Sequence, residues 1–242
     1  MTLTLKGFRV LTFDCYGTLI DWESGILEGL KPLTDRLDRE ISHDDILESH
    51  AWHESRQQLT TPGMRYADLL ATVYRRLAEG WGKPARWDEC VTYGNSVSKW
   101  PAFPDSVDAL RYLKQHFRLV ILSNVDNASF AASNEKLGVE FDAIFTAQDI
   151  GSYKPAKRNF EYMLSNLARS GFTKDDILHV AESLYHDHAP ANELAIRNCR
   201  IYRRLGKEGF GAAMNPQAMP SCDFVFGSMQ ELAAAHARDC AS

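Results

Sequence analysis

Residues Phe8 to Ile20 read FRVLTFDCYGTLI, and the order within them constrains the whole chain: an apolar run, a carboxylate, then a breaker. Val10, Leu11, Thr12 and Phe13 are β-branched, aliphatic or aromatic and too few for a helix, so they predict a buried parallel strand. Gly17 ends the pattern and leaves Asp14 at the carboxyl end of that strand, the edge where open α/β sheets place ligands. A carboxylate there is a candidate nucleophile. Asp-x-x-Gly also opens many turns, so these residues alone leave both roles open.

The pattern then turns helical from Asp21 to Pro101. Ile26, Leu27, Leu30, Leu33 and Leu37 make one stripe, and Ile46, Leu47 and Trp52 begin another. Tyr66, Leu69, Leu70, Val73 and Leu77 follow the breaker Thr60-Thr61-Pro62-Gly63, and Trp87 to Val97 supports a weaker fourth. From Asp105, predicted to cap a helix, strand and helix alternate. Leu119 to Leu122, Ala143 to Phe145 and Ile177 to Ala181 are predicted strands, with weaker ones at Arg200 to Arg203 and Phe224 to Phe226. An Ala-rich helix is expected from about Pro190, and a frayed helix end after Ala233. Strands separated by helices predict an α/β fold, a doubly wound parallel sheet with an inserted helical domain. The predicted division is a core of residues 1–20 and 102–242 and a helical cap of residues 21–101.

Four motifs follow one another in a fixed order: Asp14-Cys15-Tyr16-Gly17-Thr18, then Leu122-Ser123-Asn124, then Lys154-Pro155, then Glu182 and Asp187 after the fourth strand. Each lies at or just past a strand end, so one parallel sheet would gather them at one edge. In this order the motifs resemble those of the haloacid dehalogenase superfamily, most closely its 2-haloacid dehalogenase branch. The resemblance implies a Rossmann-like core under a helical cap. It also implies a hydrolase in which Asp14 displaces a leaving group from the α-carbon of a small carboxylic acid, and water then cleaves the aspartyl ester. Neither step needs a metal or other cofactor.

The roles implied are these. Lys154 keeps Asp14 ionised and its pKa low, with Asp187 paired to Lys154. Thr18 and Ser123 orient nucleophile or substrate, helped by loop N–H groups near Cys15 and Tyr16, and His186 is read as a pocket or surface group. Asn124 donates to the leaving group or substrate, and Glu182 acts as general base or faces the leaving group. Phosphatases of the superfamily carry a second Asp two residues after the nucleophile; Tyr16 stands there instead, a phenol of pKa about 10 and a poor acid at neutral pH.

Departures from the branch matter too. Glu182, Leu184 and His186 replace a Ser, Asn and aromatic pattern, and the cap Arg that receives halide is matched only by Arg56, about one position out of register. Ring opening of azetidine-2-carboxylate, a magnesium-dependent phosphatase using Glu182 and Asp187, and a non-catalytic binding member of the fold stay open as alternatives.

Composition narrows the partners. A net charge of −5 with no basic run excludes nucleic acid and anionic membranes as expected partners, and no apolar run approaches a membrane span. Five cysteines without a C-x-x-C pair suit a reducing compartment, and Met1 to Gly7 has no signal-peptide core, so a cytoplasmic protein is expected. Cys15 has no neighbouring His to ionise it, which favours Asp14 over a thiol nucleophile. A small carboxylic acid is the expected ligand, and a homodimer stays open.

Overall fold

The strand predicted around Asp14 forms at Val10–Phe13 (β1) in the computed structural model, which describes residues 3–241; the outermost residues of the predicted core, 1, 2 and 242, lie outside the described part. The other strands are Arg118–Ser123 (β2), Ala143–Thr146 (β3), Ile177–Ala181 (β4), Arg197–Ile201 (β5) and Phe224–Phe226 (β6). All pair in parallel, in the order β3-β2-β1-β4-β5-β6. This is a Rossmann-like α/β sheet, and β1 lies at its centre, where the chain order reverses. Alternation along the strands divides them between two cores. Leu11, Phe13, Leu119, Ile121, Leu178 and Val180 belong to one, and Val10, Val120, Leu122 and Ile177 to the other.

Five helices separate β1 from β2, and the first four make the insertion: Trp22–Thr34 (α1), His43–Thr60 (α2), Tyr66–Gly80 (α3) and Trp87–Gly94 (α4), closed by a 3-10 turn at Asn95–Lys99. Gly17 makes the departure from β1. Its φ is +89°, and a Cβ there would meet the Trp22 indole nitrogen at 2.8 Å. The insertion is tied back onto the sheet edge by the Asp126 carboxylate, which accepts from Ala67 N at 3.1 Å, and by the Tyr153 hydroxyl, which donates to the Met64 carbonyl. Among the described residues no helix is long and apolar enough to cross a membrane.

The remaining helices are Ser106–Leu113 (α5), Asn127–Leu137 (α6), Ala147–Ile150 (α7), Lys157–Arg169 (α8), Ala189–Glu193 (α9) and Met229–Ala241 (α10). Four expectations need correction. Asp105 does not cap α5 through its side chain; its carboxylate receives Arg203 at 2.8 and 3.0 Å and Met229 N at 2.7 Å. The fifth strand spans Arg197–Ile201, because pairing of Ala181 with Arg200 sets its register. The helix expected from Pro190 begins as a π-helical turn at Leu184–His188 and continues only to Glu193. The tail is an ordered helix to Ala241, anchored by buried Met229, Leu232 and His236.

Candidate active site

Burial would ordinarily force the Asp14 carboxylate to find partners, and it has two. Oδ1 accepts from Lys154 Nζ at 2.8 Å and Oδ2 from the Thr18 hydroxyl at 2.8 Å. Thr18 Oγ1 in turn accepts from Glu182 N at 2.9 Å, which joins the ends of β1 and β4. Lys154 is 1% exposed. Its ammonium also donates to Asp187 Oδ1 at 2.7 Å and to the Leu122 carbonyl at 2.9 Å.

Behind this set lies a residue the sequence reading passed over. His179, inside β4, contacts Asp187 through Nε2 at 2.9 Å and Thr12 through Nδ1 at 2.9 Å. Burial opposes the charge on Asp187, but Lys154 and His179 outweigh it and hold this carboxyl below the ordinary range. Asp14 goes the other way. Burial raises its pKa, with Asp187 adding to the rise, and Lys154 and Thr18 recover only part of it. The expectation that Lys154 would hold Asp14 low is therefore corrected: burial, with the Asp187 charge beside it, outweighs the lowering by Lys154.

Asn124 positions that lysine. Its Nδ2 donates to the Lys154 carbonyl at 2.9 Å and its Oδ1 accepts from Lys154 N at 2.7 Å, so the amide clamps the Lys154 loop where donation to a leaving group was expected. Ser123 Oγ is buried and has no hydrogen-bond partner among the described residues. Ser183 caps the turn that follows β4, accepting from His186 N at 3.0 Å, and burial pushes the His186 imidazole down to about 4.

Tyr16 turns its phenol toward α6, 2.9 Å from Ser133 Oγ and 3.4 Å from the Ser129 carbonyl. Burial pushes its pKa well above the ordinary value, with buried Cys15 adding to the rise. Burial likewise raises the Cys15 thiol well above the usual range, and the neighbouring Asp14 charge adds to this.

Asp14, Lys154, Asp187, Asn124, Tyr16 and His186 share one small cavity of about 20 Å³, room for little more than one water, so a substrate binds only as the surrounding side chains move. The insertion supplies the opposite wall through Trp22, Glu54, Gln58 and Tyr66. Glu54 is 4% exposed, accepts from Gln58 Nε2 at 3.1 Å and is hydrogen-bonded to Tyr66. Burial lifts its carboxyl to about 7.

Two expected site residues point elsewhere. Arg56 is exposed and lies over the Trp52 ring at 4.7 Å, because two residues along α2 turn it away from the face carrying Glu54 and Gln58. Glu182 lies one residue past the Ala181 to Arg200 pairing and contacts the Arg200 guanidinium at 3.3 Å. It lines a neighbouring cavity of about 430 Å³ with Gly17, Trp22 and Arg203, and burial raises its carboxyl to about 7.

The residues present do not make a magnesium site as arranged. Both Asp14 oxygens are engaged, Lys154 stands between Asp14 and Asp187, and Glu182 faces Arg200, where magnesium would need several free oxygens in octahedral array.

The family model for haloacid dehalogenase-like hydrolase matches residues 8–187. The chain belongs to that family. Among solved structures, it is similar to the L-2-haloacid dehalogenase PA0810 at 21% identity and a TM-score of 0.75, covering 98% of this chain and 100% of that one. It is also similar to the L-2-haloacid dehalogenase of Xanthobacter autotrophicus with chloropropionic acid covalently bound, at 17% identity and a TM-score of 0.74, covering 94% and 97%. The magnesium-bound HAD-hydrolase YfnB of Bacillus subtilis resembles it too, at 18% identity and a TM-score of 0.71, covering 95% and 99%. At these identities the likeness is one of fold. No curated protein matches the chain by sequence.

Proposed function

We propose that this haloacid dehalogenase-like hydrolase displaces a leaving group from the α-carbon of a small carboxylic acid, with 2-haloacid dehalogenation as the type reaction. Asp14 Oδ attacks the carbon, the leaving group departs with the bonding pair, and water cleaves the aspartyl ester to give a 2-hydroxy acid. The observation that carries the reading is Asp14 held between Lys154 and Thr18 within a cavity roofed by the helical insertion. In this reading the insertion is a cap, and it excludes the water that would compete for the substrate carbon. Ser123, with its unpartnered hydroxyl, is assigned to the substrate carboxylate.

A phosphatase is disfavoured by Tyr16, whose hydroxyl faces Ser133 and offers no acid to a leaving oxygen. A second reading, ring opening of azetidine-2-carboxylate by the same attack, is favoured by one feature: among the described residues the cavity wall carries the Glu54 carboxyl and no arginine.

The test is a panel of 2-chloropropionate enantiomers, azetidine-2-carboxylate and p-nitrophenyl phosphate, run on the wild type and on Asp14→Asn. Turnover of an α-substituted acid that falls to background in the Asn variant, without need of magnesium, is the expected outcome. Phosphate-ester turnover with a strict magnesium requirement would overturn the reading.

A further inference from the structure

The carboxyl of Glu54 is buried opposite Asp14 and, among the described residues, has no cation beside it. His50, its neighbour one turn back on α2, lies 3.5 Å away at Nδ1, too long and poorly aligned for a hydrogen bond, and burial pushes that imidazole down to about 3, leaving it neutral. The groups that do reach Glu54, Gln58 and Tyr66, are neutral donors. A buried carboxylate without a counter-charge is costly, and the cost disappears when it is protonated or when a ligand brings a cation to it. The same wall is a poor seat for a departing halide, because it carries the Glu54 carboxyl, and the Gln58 amide already donates to that carboxyl.

We propose that Glu54 is the catalytic residue that meets the leaving atom, and that this atom is the nitrogen of a small cyclic 2-amino acid rather than a halide. The assignment takes the ring-opening reading of the site and rests on Asp14 being the nucleophile at the α-carbon. In the first step the Asp14 oxygen forms a C–O bond while the C–N bond breaks, and the electron pair passes to nitrogen, which keeps its two hydrogens. In the second step water cleaves the ester at the Asp14 carbonyl. The proton released passes through Glu54 to the new amine, so the product is a 2-hydroxy acid carrying an ammonium. No oxidant, reductant or co-reactant other than water is consumed. The role that the sequence suggested for Glu182 thus moves to the opposite wall, since Glu182 is turned to Arg200.

The experiment is rapid-quench measurement of ester on the Asp14 peptide, with azetidine-2-carboxylate and 2-chloropropionate, in the wild type and in Glu54→Gln. The expected result, at substrate concentrations below saturation, is a fall of about 100-fold or more in the ratio of amine-derived to chloride-derived ester formation in the variant, because Glu54 is the counter-charge that receives the ring ammonium, and removing one partner of a buried charge pair costs at least about that factor. An unchanged ratio, or a wild type that forms ester only from the chloride, would overturn the assignment while leaving Asp14 as nucleophile. Ester from neither substrate would overturn the nucleophile reading itself and the assignment with it. A binding measurement on the wild type needs no variant. Proline, which carries the ring nitrogen, should bind about tenfold or more tighter than cyclopentanecarboxylate, which lacks it. Equal or reversed binding counts against Glu54 as the nitrogen's partner.

Discussion

On the sheet side of the cavity both carboxylates touch a cation: Lys154 lies between Asp14 and Asp187, and His179 backs Asp187. On the insertion side Glu54 has only neutral neighbours in Gln58, Tyr66 and His50. A compensated cluster is complete before any ligand arrives and fixes Asp14 in place. An uncompensated carboxyl is the part of the site whose energy changes most when a ligand binds. On the proposed reading the first wall supplies the general reaction, and the second discriminates among leaving groups.

Breaking the compensated wall should have the largest effect. Lys154→Met leaves two carboxylates buried without a counter-charge, so a loss of about 3–5 kcal/mol in stability is expected from chemical denaturation. Turnover should fall about 100- to 1,000-fold in whatever protein remains folded. A variant as stable as the wild type would show that the pairing has no such weight.

Glu54→Gln should act in the opposite direction on stability, and with a pH signature. The folded carboxyl is raised to about 7 from an ordinary 4.5, so the folded state holds the proton more tightly. The stability this gives is fully present below about 4.5 and is lost as pH rises through about 7, a change on the order of 3 kcal/mol. Relative to the wild type, the Gln variant should therefore gain stability between pH 5 and pH 8. A pH-independent difference in denaturation midpoint would mean that Glu54 is paired after all.

His179→Leu tests how far the compensated wall extends. It removes one of the two contacts to Asp187 Oδ1 and leaves the Thr12 hydroxyl without its partner, for a cost of about 1–3 kcal/mol. A thermal melt indistinguishable from wild type would place His179 outside the set. Arg56→Ala should do least, within about 0.5 kcal/mol and with unchanged turnover, because Arg56 is exposed on the face of α2 away from the cavity. A large loss of activity there would return Arg56 to the site.

The two walls also differ in how legible they are in the sequence. Asp14, Ser123, Lys154 and Asp187 each follow an apolar strand or its loop, and parallel strands converge their ends whatever the side-chain details. The insertion wall has no such signal. The buried face of α2 runs Leu47, His50, Ala51, Glu54 and Gln58, so its inward stripe is half polar and hydrophobic periodicity cannot find it. The register argument that selected Arg56 missed the inward face by two residues, more than half a helical turn. His179 was hidden by apolar neighbours in a strand predicted only as core. Glu182 was correctly seen at a strand end, but its direction depends on Arg200 in the adjacent strand, and strand order is not written in the sequence.

The most direct test of the central claim is a single turnover in heavy-oxygen water with enzyme in excess. If Asp14 forms the ester, the hydroxyl oxygen of the first product comes from the carboxylate and is light, and one heavy oxygen appears in the Asp14 peptide. Because burial raises Asp14, ester formation should already weaken at a pH above the ordinary carboxylate range as the nucleophile takes up its proton. Heavy oxygen arriving directly in the first-turnover product, with an unlabelled Asp14, would contradict the account.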